Sequence, residues 1–309
     1  MKQGRNDENV GVLQNFVVSV WAMIWKFKIV IVLLIVLYLI HYNFLREYKS
    51  REELFADGCL EGTKYVEDNF ANLDQMDPEL VRYVRTRYLI PPTSPNVPYH
   101  FKNPGKDIKT GHGQWVRKYL KDKRGGVFIE AGANEGEFHS HTLELEMELG
   151  WSGLLIECNP TVTPYLRSKR RKAWVAGVCI STGNRPAVLN FSNPEGWTYS
   201  GRIGPAWNLP VASNWTYFDV ESVPLYTIIA AAGYKEIDFF SFDVEGIEFE
   251  ILRQFPFDRI VFKLIIMEVQ FIDQTKRDEL EAFMKSKGYS AVEKQGLDHI
   301  YKHESLIVD

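Results

Sequence analysis

The sequence predicts an α/β fold with a doubly wound, mostly parallel sheet. Three observations carry this expectation. From Val127 onward, apolar runs of strand length alternate with helical patterns of about ten residues, as in βαβ units. Two of these runs end in acids and a glycine turn. One is Val127-Phe128-Ile129-Glu130-Ala131-Gly132-Ala133-Asn134-Glu135-Gly136, and the other is Ile237-Asp238-Phe239-Phe240-Ser241-Phe242-Asp243-Val244-Glu245-Gly246. A third run between them, Leu154-Leu155-Ile156-Glu157, also ends in an acid. Ligands of open α/β sheets sit outside the carboxyl ends of the strands, so acids at three such ends point to one cleft.

Each element follows from local pattern. Strands are expected at 127–131, 153–157, 173–180, 237–243 and 264–269, where apolar runs are rich in β-branched and aromatic residues. Helices are expected at 114–121, 138–149, 161–170, 224–232, 247–255 and 275–287. Asp77 followed by Pro78 reads as an N-cap with proline at the first helical position. Right-handed crossovers place helices on both faces of the sheet. Residues 290–303 fit two antiparallel strands around Gly296. The stretch 193–213, rich in Gly and Trp, is long for a loop and is a candidate substrate lid.

The organisation before the sheet reads as a tail (1–20), a single transmembrane helix (21–45), a stem with a Pro-rich linker (46–108) and a domain from 109 to 309. The run from Ile29 to Ile40 is uninterrupted and apolar, preceded by Lys26 and Lys28. A spanning helix needs about 20 apolar residues, reached when the lysines snorkel or the span runs on to Leu45. Trp21, Trp25, Tyr38 and Tyr42 suit the interfacial belts. No small-residue cleavage triplet follows Ile40, so an uncleaved anchor is preferred to a signal peptide. Flanking charges favour a cytosolic N-terminus weakly. The sequons Asn190-Phe191-Ser192 and Asn214-Trp215-Thr216 favour a lumenal domain.

The net charge of −4 gives no electrostatic footprint for nucleic acid. The basic run Arg167-Ser168-Lys169-Arg170-Arg171-Lys172 reads as a solvated helix end, where cations complement the dipole. Three cysteines exclude a disulfide framework. One bridge, with Cys158 and Cys179 as the better placed pair, and three reduced thiols are both open readings.

The glycine turn after Glu130 lacks the glycine spacing of the dinucleotide fingerprint. Gly132 and Gly136 let the backbone approach a ligand. A carboxylate at Glu130 repels phosphate and suits a cationic group. Glu157 stands where an acid holds ribose hydroxyls. A cationic adenosyl ligand without phosphate is S-adenosylmethionine, with Glu130, Gly132, Asn134, Gly136 and Glu157 as its candidate binding residues. Asp243 and Glu245 lie two apart on an extended segment and face the same way. Such paired acids bind a cation, share a proton, orient a substrate or act as a base. We assign both to catalysis and assign no metal. Capping of the next helix is the competing role for Glu245. Glu268 ends the next strand at the same edge. His139 and His141 do not share a helical face, so a zinc pair is not expected.

These blocks resemble the FkbM-type methyltransferase family, over roughly 127–303. The matching blocks are Val127 to Gly136, Leu154 to Pro160, Ile237 to Leu252 and Ile265 to Glu268. The resemblance implies a Rossmann-like methyltransferase fold and S-adenosylmethionine-dependent O-methyl transfer. Gly150-Trp151-Ser152-Gly153-Leu154-Leu155-Ile156-Glu157 and Asp77-Pro78-Glu79-Leu80-Val81 are similar to the membrane-anchored, Star-like invertebrate subgroup. That likeness implies a type II anchor in the endoplasmic reticulum, Golgi or endosome and a lumenal domain. It also implies the alternative function, a non-catalytic trafficking factor whose protein clients are growth-factor precursors of the secretory pathway. Lumenal placement favours that alternative, because the cofactor is made in the cytosol.

Overall fold

The computed structural model of the chain describes residues 60–104, 111–205 and 214–306. The expected tail, the membrane helix and the stem up to residue 59 lie outside the described residues, as does 206–213 of the expected lid. Among the described residues, no helix is long and apolar enough to cross a membrane. The chain divides into two compact units, Met1–Gly62 and Thr63–Asp309, and the second holds the sheet.

In chain order the elements are α1 (Leu60–Asn69), α2 (Pro78–Arg87), β1 (Leu89–Ile90), α3 (Gly111–Leu120), β2 (Val127–Ala131), α4 (Leu143–Leu149) and β3 (Ser152–Ile156). Next come α5 (Thr163–Ser168), β4 (Trp174–Ala176), β5 (Cys179–Ile180), β6 (Ala187–Pro194), β7 (Arg202–Ile203) and β8 (Trp215–Val223). The chain continues with α6 (Leu225–Ala232), β9 (Ile237–Phe242), α7 (Glu248–Gln254), β10 (Phe262–Glu268), α8 (Gln274–Ser286), β11 (Tyr289–Gln295) and β12 (Asp298–His303). The Asp77 side chain caps α2 by accepting from the Glu79 and Leu80 amides, with Pro78 at the first position.

The main sheet has the order β1-β4-β3-β2-β9-β10-β12-β11. The five strands from β4 to β10 are parallel. β1 closes one edge antiparallel to β4, and the β11–β12 hairpin closes the other. The short β1 comes from the segment expected to be stem and linker. Strand order reverses between β2 and β9, which opens a crevice at their carboxyl ends.

Period-two alternation divides the core between the two faces of the sheet. Ile129, Leu154, Phe240 and Ile265 pack on one face, and Phe128, Leu155, Phe239 and Leu264 on the other. Helices cover both faces, so the central strands are mostly apolar, with Glu130, Asp238 and Ser241 as buried exceptions. Glu130 shares the face of Phe128, directly across from Ser241 of β9.

Four expectations change. The strand expected at 173–180 breaks after Ala176, and Cys179–Ile180 instead pairs with β8 in a second sheet of order β5-β8-β6-β7. Part of the expected lid belongs to that sheet, since β6 and β7 pair at Phe191 and Ile203. The helix expected from 138 begins at Leu143, because Glu130 holds residues 140–142 in a turn. Its carboxylate accepts from Ser140 Oγ at 3.0 Å, the His141 amide at 2.8 Å and Thr142 Oγ1.

The basic run is only in part a solvated helix end, with Arg167 and Arg170 exposed. α5 stops at Ser168, Arg170 turns to φ +58°, and Lys169 and Arg171 point inward, 5 % and 2 % exposed. Lys169 pairs with Glu135 and Glu137. Arg171 Nε donates to Glu146 at 3.0 Å, and its Nη1 donates to the Gly136 carbonyl at 2.6 Å. Buried cations persist only with such partners.

The tightest backbone approach lies at the reversal. Gly132 has φ +85°, and a Cβ there would lie 1.8 Å from the Asp243 carbonyl oxygen. Gly132→Ala is expected to destabilise the domain by about 3 kcal/mol, read as a fall in the urea midpoint. A loss under about 1 kcal/mol would show that the two strand ends separate freely.

Candidate functional site

A cavity of about 390 Å³ lies at the carboxyl ends of β2, β3 and β9. Backbone bonds tie the three ends together. The Gly132 and Ala133 amides both donate to the Ile156 carbonyl at 3.1 Å, and the Asp243 amide donates to the Ala131 carbonyl at 3.1 Å. Asn134, at φ +46°, turns the chain away from β2. Its amide donates to Glu157 Oε2 at 2.6 Å, while the Asn159 amide donates to Oε1 at 2.6 Å. The acid ending β3 thus fixes the turn ending β2.

Of the sequence-predicted residues, Gly132, Asn134, Glu157, Asp243 and Glu245 line the cavity. Glu130 and Gly136 do not. Glu130 is buried behind the wall, with its carboxylate committed to residues 140–142. Gly136 gives its carbonyl to Arg171. Both therefore shape the turn from behind rather than from the cavity surface. Glu245 does not cap α7. No side chain caps that helix; Glu248, its first residue, instead fixes the preceding turn, accepting from the Val244 amide at 2.9 Å and the Gly246 amide at 3.0 Å. Cys158 and Cys179 form a disulfide, and Cys158 lies on the cavity wall.

The acids of the cavity are held away from their ordinary behaviour. Burial pushes Glu157 up to about 7, against the pull of the Asn159 and Asn134 amides. Burial, then the charges of Asp243 and Glu248, pushes Glu245 up to about 8, with Arg202 opposing. Burial also raises Asp243.

Further wall residues come from the two histidines after the glycine turn and from the described part of the expected lid. His141 lines the cavity, with Nδ1 2.7 Å from Ser241 Oγ, and burial holds it well below the ordinary histidine range, so its imidazole is neutral. The His112 ring lies 3.7 Å from that of His141, and His112 Nε2 is 3.1 Å from Asp298 Oδ2. Arg202, Trp197 and Tyr199 reach the cavity from the second sheet and its connections. The β-branched and aromatic alternation of Trp215-Thr216-Tyr217-Phe218-Asp219-Val220 is the signal that locates this sheet.

Glu157 gives a measurable pH signature. Its folded-state pKa lies above the ordinary value, so the unfolded chain releases its proton first. The associated stability is present below about pH 4.5 and is lost as pH rises through about 7. Glu157→Gln is expected to remove about 3 kcal/mol of that decline, read from urea unfolding across this window. An unchanged pH slope in the variant would contradict the assignment.

A family model described as Methyltransferase FkbM domain matches residues 130–291. No curated protein matches the chain. Among solved structures, precorrin-6y C5,15-methyltransferase from Geobacter metallireducens GS-15 is 12% identical, with 66% of this chain and 91% of that chain covered and a TM-score of 0.33. The METTL16 MTase domain is 12% identical, covering 62% and 64%, at 0.36. A methyltransferase from Pyrococcus furiosus is 14% identical, covering 66% and 85%, at 0.32. These scores carry no further argument. The family match spans more than half of the chain, from Glu130 through the β9 and β10 acids to Ala291, and the chain belongs to the FkbM methyltransferase domain family.

Proposed function

We propose that this chain moves a methyl group from S-adenosylmethionine to an oxygen acceptor. One observation carries the reading: the cavity at the strand-order reversal has the Gly132–Asn134 turn and Glu157 on one side and Asp243 and Glu245 on another. Its volume falls within the 300–1,000 Å³ typical of small-molecule sites. Each Glu157 oxygen accepts one backbone N–H and keeps a second lone pair, which fits ribose hydroxyls. Ile156, Val178 and Ile180 form an apolar wall suited to adenine. The carboxylates of Asp243 and Glu245 suit a cation, not a pyrophosphate.

When bound, the cofactor supplies an electrophilic methyl group on a sulfonium. The protein's part is to hold the acceptor oxygen in line and to receive its proton. Asp243 orients the acceptor hydroxyl. Glu245 takes the proton, since its Oε2 has no hydrogen-bond donor and its pKa near 8 suits a base at neutral pH. The Gly132–Asn134 turn and Glu157 would hold the cofactor, which would supply the methyl group to that acceptor oxygen.

Calorimetric titration of the full-length protein with S-adenosylmethionine tests this. Binding with at least a tenfold loss in Glu157→Ala is expected. No heat at millimolar ligand would end the reading, and unchanged binding by Glu157→Ala would refute the ribose placement.

The membrane anchor, the lumenal domain and the Star-like subgroup belong to the same proposal. The apolar run to Ile40 supports the anchor. The exposed sequon residues Asn190 and Asn214 support the lumen, as does the Cys158–Cys179 disulfide, a mark of oxidising compartments. A lumenal enzyme needs its cofactor carried across the membrane. Glycosidase treatment is expected to shift the mobility of the cell-expressed chain, and Asn190→Gln with Asn214→Gln to abolish the shift. A chain insensitive to glycosidase would place the domain on the other side.

A further inference from the structure

The carboxyl ends of β9 and β10 hold more negative charge than methyl transfer requires. Asp243 follows β9, Glu248 opens α7, and Glu268 ends β10. Oxygens from these three carboxylates lie within 4.8 Å of one another. A hard divalent cation with oxygen bonds of about 2.4 Å spans oxygens up to about 4.8 Å apart.

The state of Glu268 is an independent sign of a missing partner. The residue is 8 % exposed, and its Oε1 accepts from Gln270 Nε2. Its Oε2 is buried without any hydrogen-bond donor. The largest charges acting on it are those of Asp243, Glu245 and Glu248, all of the same sign. A buried, unpaired carboxylate oxygen facing two further carboxylates costs several kcal/mol unless a cation or a proton compensates it. One proton shared between Asp243 and Glu268 is the competing way to satisfy them, while Glu248 is met by the Val244 and Gly246 amides.

We infer that Asp243, Glu248 and Glu268 form a binding site for one divalent cation of the calcium or manganese class. The ligands are all carboxylate oxygens, the donor set of hard cations. They stand on the ends of two strands and the first turn of a helix, which are rigid supports. Their outer partners are in place. The Val244 and Gly246 amides fix Glu248, and Gln270 fixes Glu268. Glu248 Oε1 accepts from both amides, whereas Oε2 accepts only from Gly246 and keeps a second lone pair for the ion.

Asp243 also lines the 390 Å³ cavity, so the ion faces the reacting space. Open coordination positions there bind an acceptor oxygen and acidify its hydroxyl, leaving Glu245 to take the proton. This role rests on the methyl-transfer reading, whereas the binding of the ion does not.

The test uses the full-length protein, treated with chelator, dialysed and titrated with calcium chloride or manganese chloride alone. Calorimetry is expected to show one ion per chain, and the thermal midpoint to rise with the ion. Glu268→Gln is expected to bind at least tenfold more weakly. Without metal, this variant is expected to melt at or above the wild type, because the amide removes the need to protonate or repel a buried carboxylate. That order separates a ligand from a merely structural residue. Asp243→Asn gives a second reading with the same expected loss of binding. Absence of heat and of any midpoint shift at millimolar ion overturns the site, as does unchanged binding in both variants. Ion binding without S-adenosylmethionine binding sinks the methyl-transfer reading alone, and the opposite result sinks the ion site alone.

Discussion

At the centre of the sheet the end of β2 is pressed against the end of β9, and the space between them has no room for a side chain. The Gly132 backbone lies against the Asp243 carbonyl, where a Cβ would meet oxygen at 1.8 Å. The same turn donates two amides to the end of β3, and a third to Glu157. Three parallel strands are thereby locked in register at one edge. Their acids reach a common cavity because the backbone cannot spread, and strand-order reversal opens the cavity there.

The acids at this edge divide by what each carboxylate touches. Glu130 is answered from inside the fold by two hydroxyls and an amide, with Arg171 on the same hydroxyls. It is the support of the wall. Glu157 is half answered, by two amides, and retains lone pairs on the cavity side. Glu245 and Glu268 each keep a buried oxygen with no donor. Polar groups left so in an interior are expensive unless a ligand completes them. The progression from satisfied to unsatisfied runs from the support toward the reacting space, as expected of a site preorganised for charge.

The central sheet was legible in the sequence because its strands are buried on both faces and flanked by amphipathic helices. Val127–Ala131 was read to the residue, and the hairpin around Gly296 was read from its turn. What escaped was set by tertiary partners. Five residues, 138–142, look helical by composition, but 140–142 wrap around Glu130, and a local pattern carries no record of a buried carboxylate ten residues upstream. Lys169 and Arg171 look like a solvated end, yet each meets an acid contributed by residues 135–146. The second sheet was hidden because β6 and β8 each have an exposed face, so polar residues interrupt them. At the site, Gly132, Asn134, Glu157, Asp243 and Glu245 were all legible from their strand-end positions. Arg202 fell within the expected lid, whereas His112 and Glu248 were not legible, since they arrive from a distant element or by a turn geometry that no spacing encodes.

The account stands on one placement: an adenosyl group lying across the ends of β2 and β3 with its sulfur toward Asp243. A structure of the protein with bound S-adenosylhomocysteine measures this directly. The account predicts ribose hydroxyls within hydrogen-bond distance of Glu157, adenine against Ile156 and Val178, and the sulfur on the Asp243 side of the Gly132–Asn134 turn. Density for the ligand away from Glu157 would contradict it.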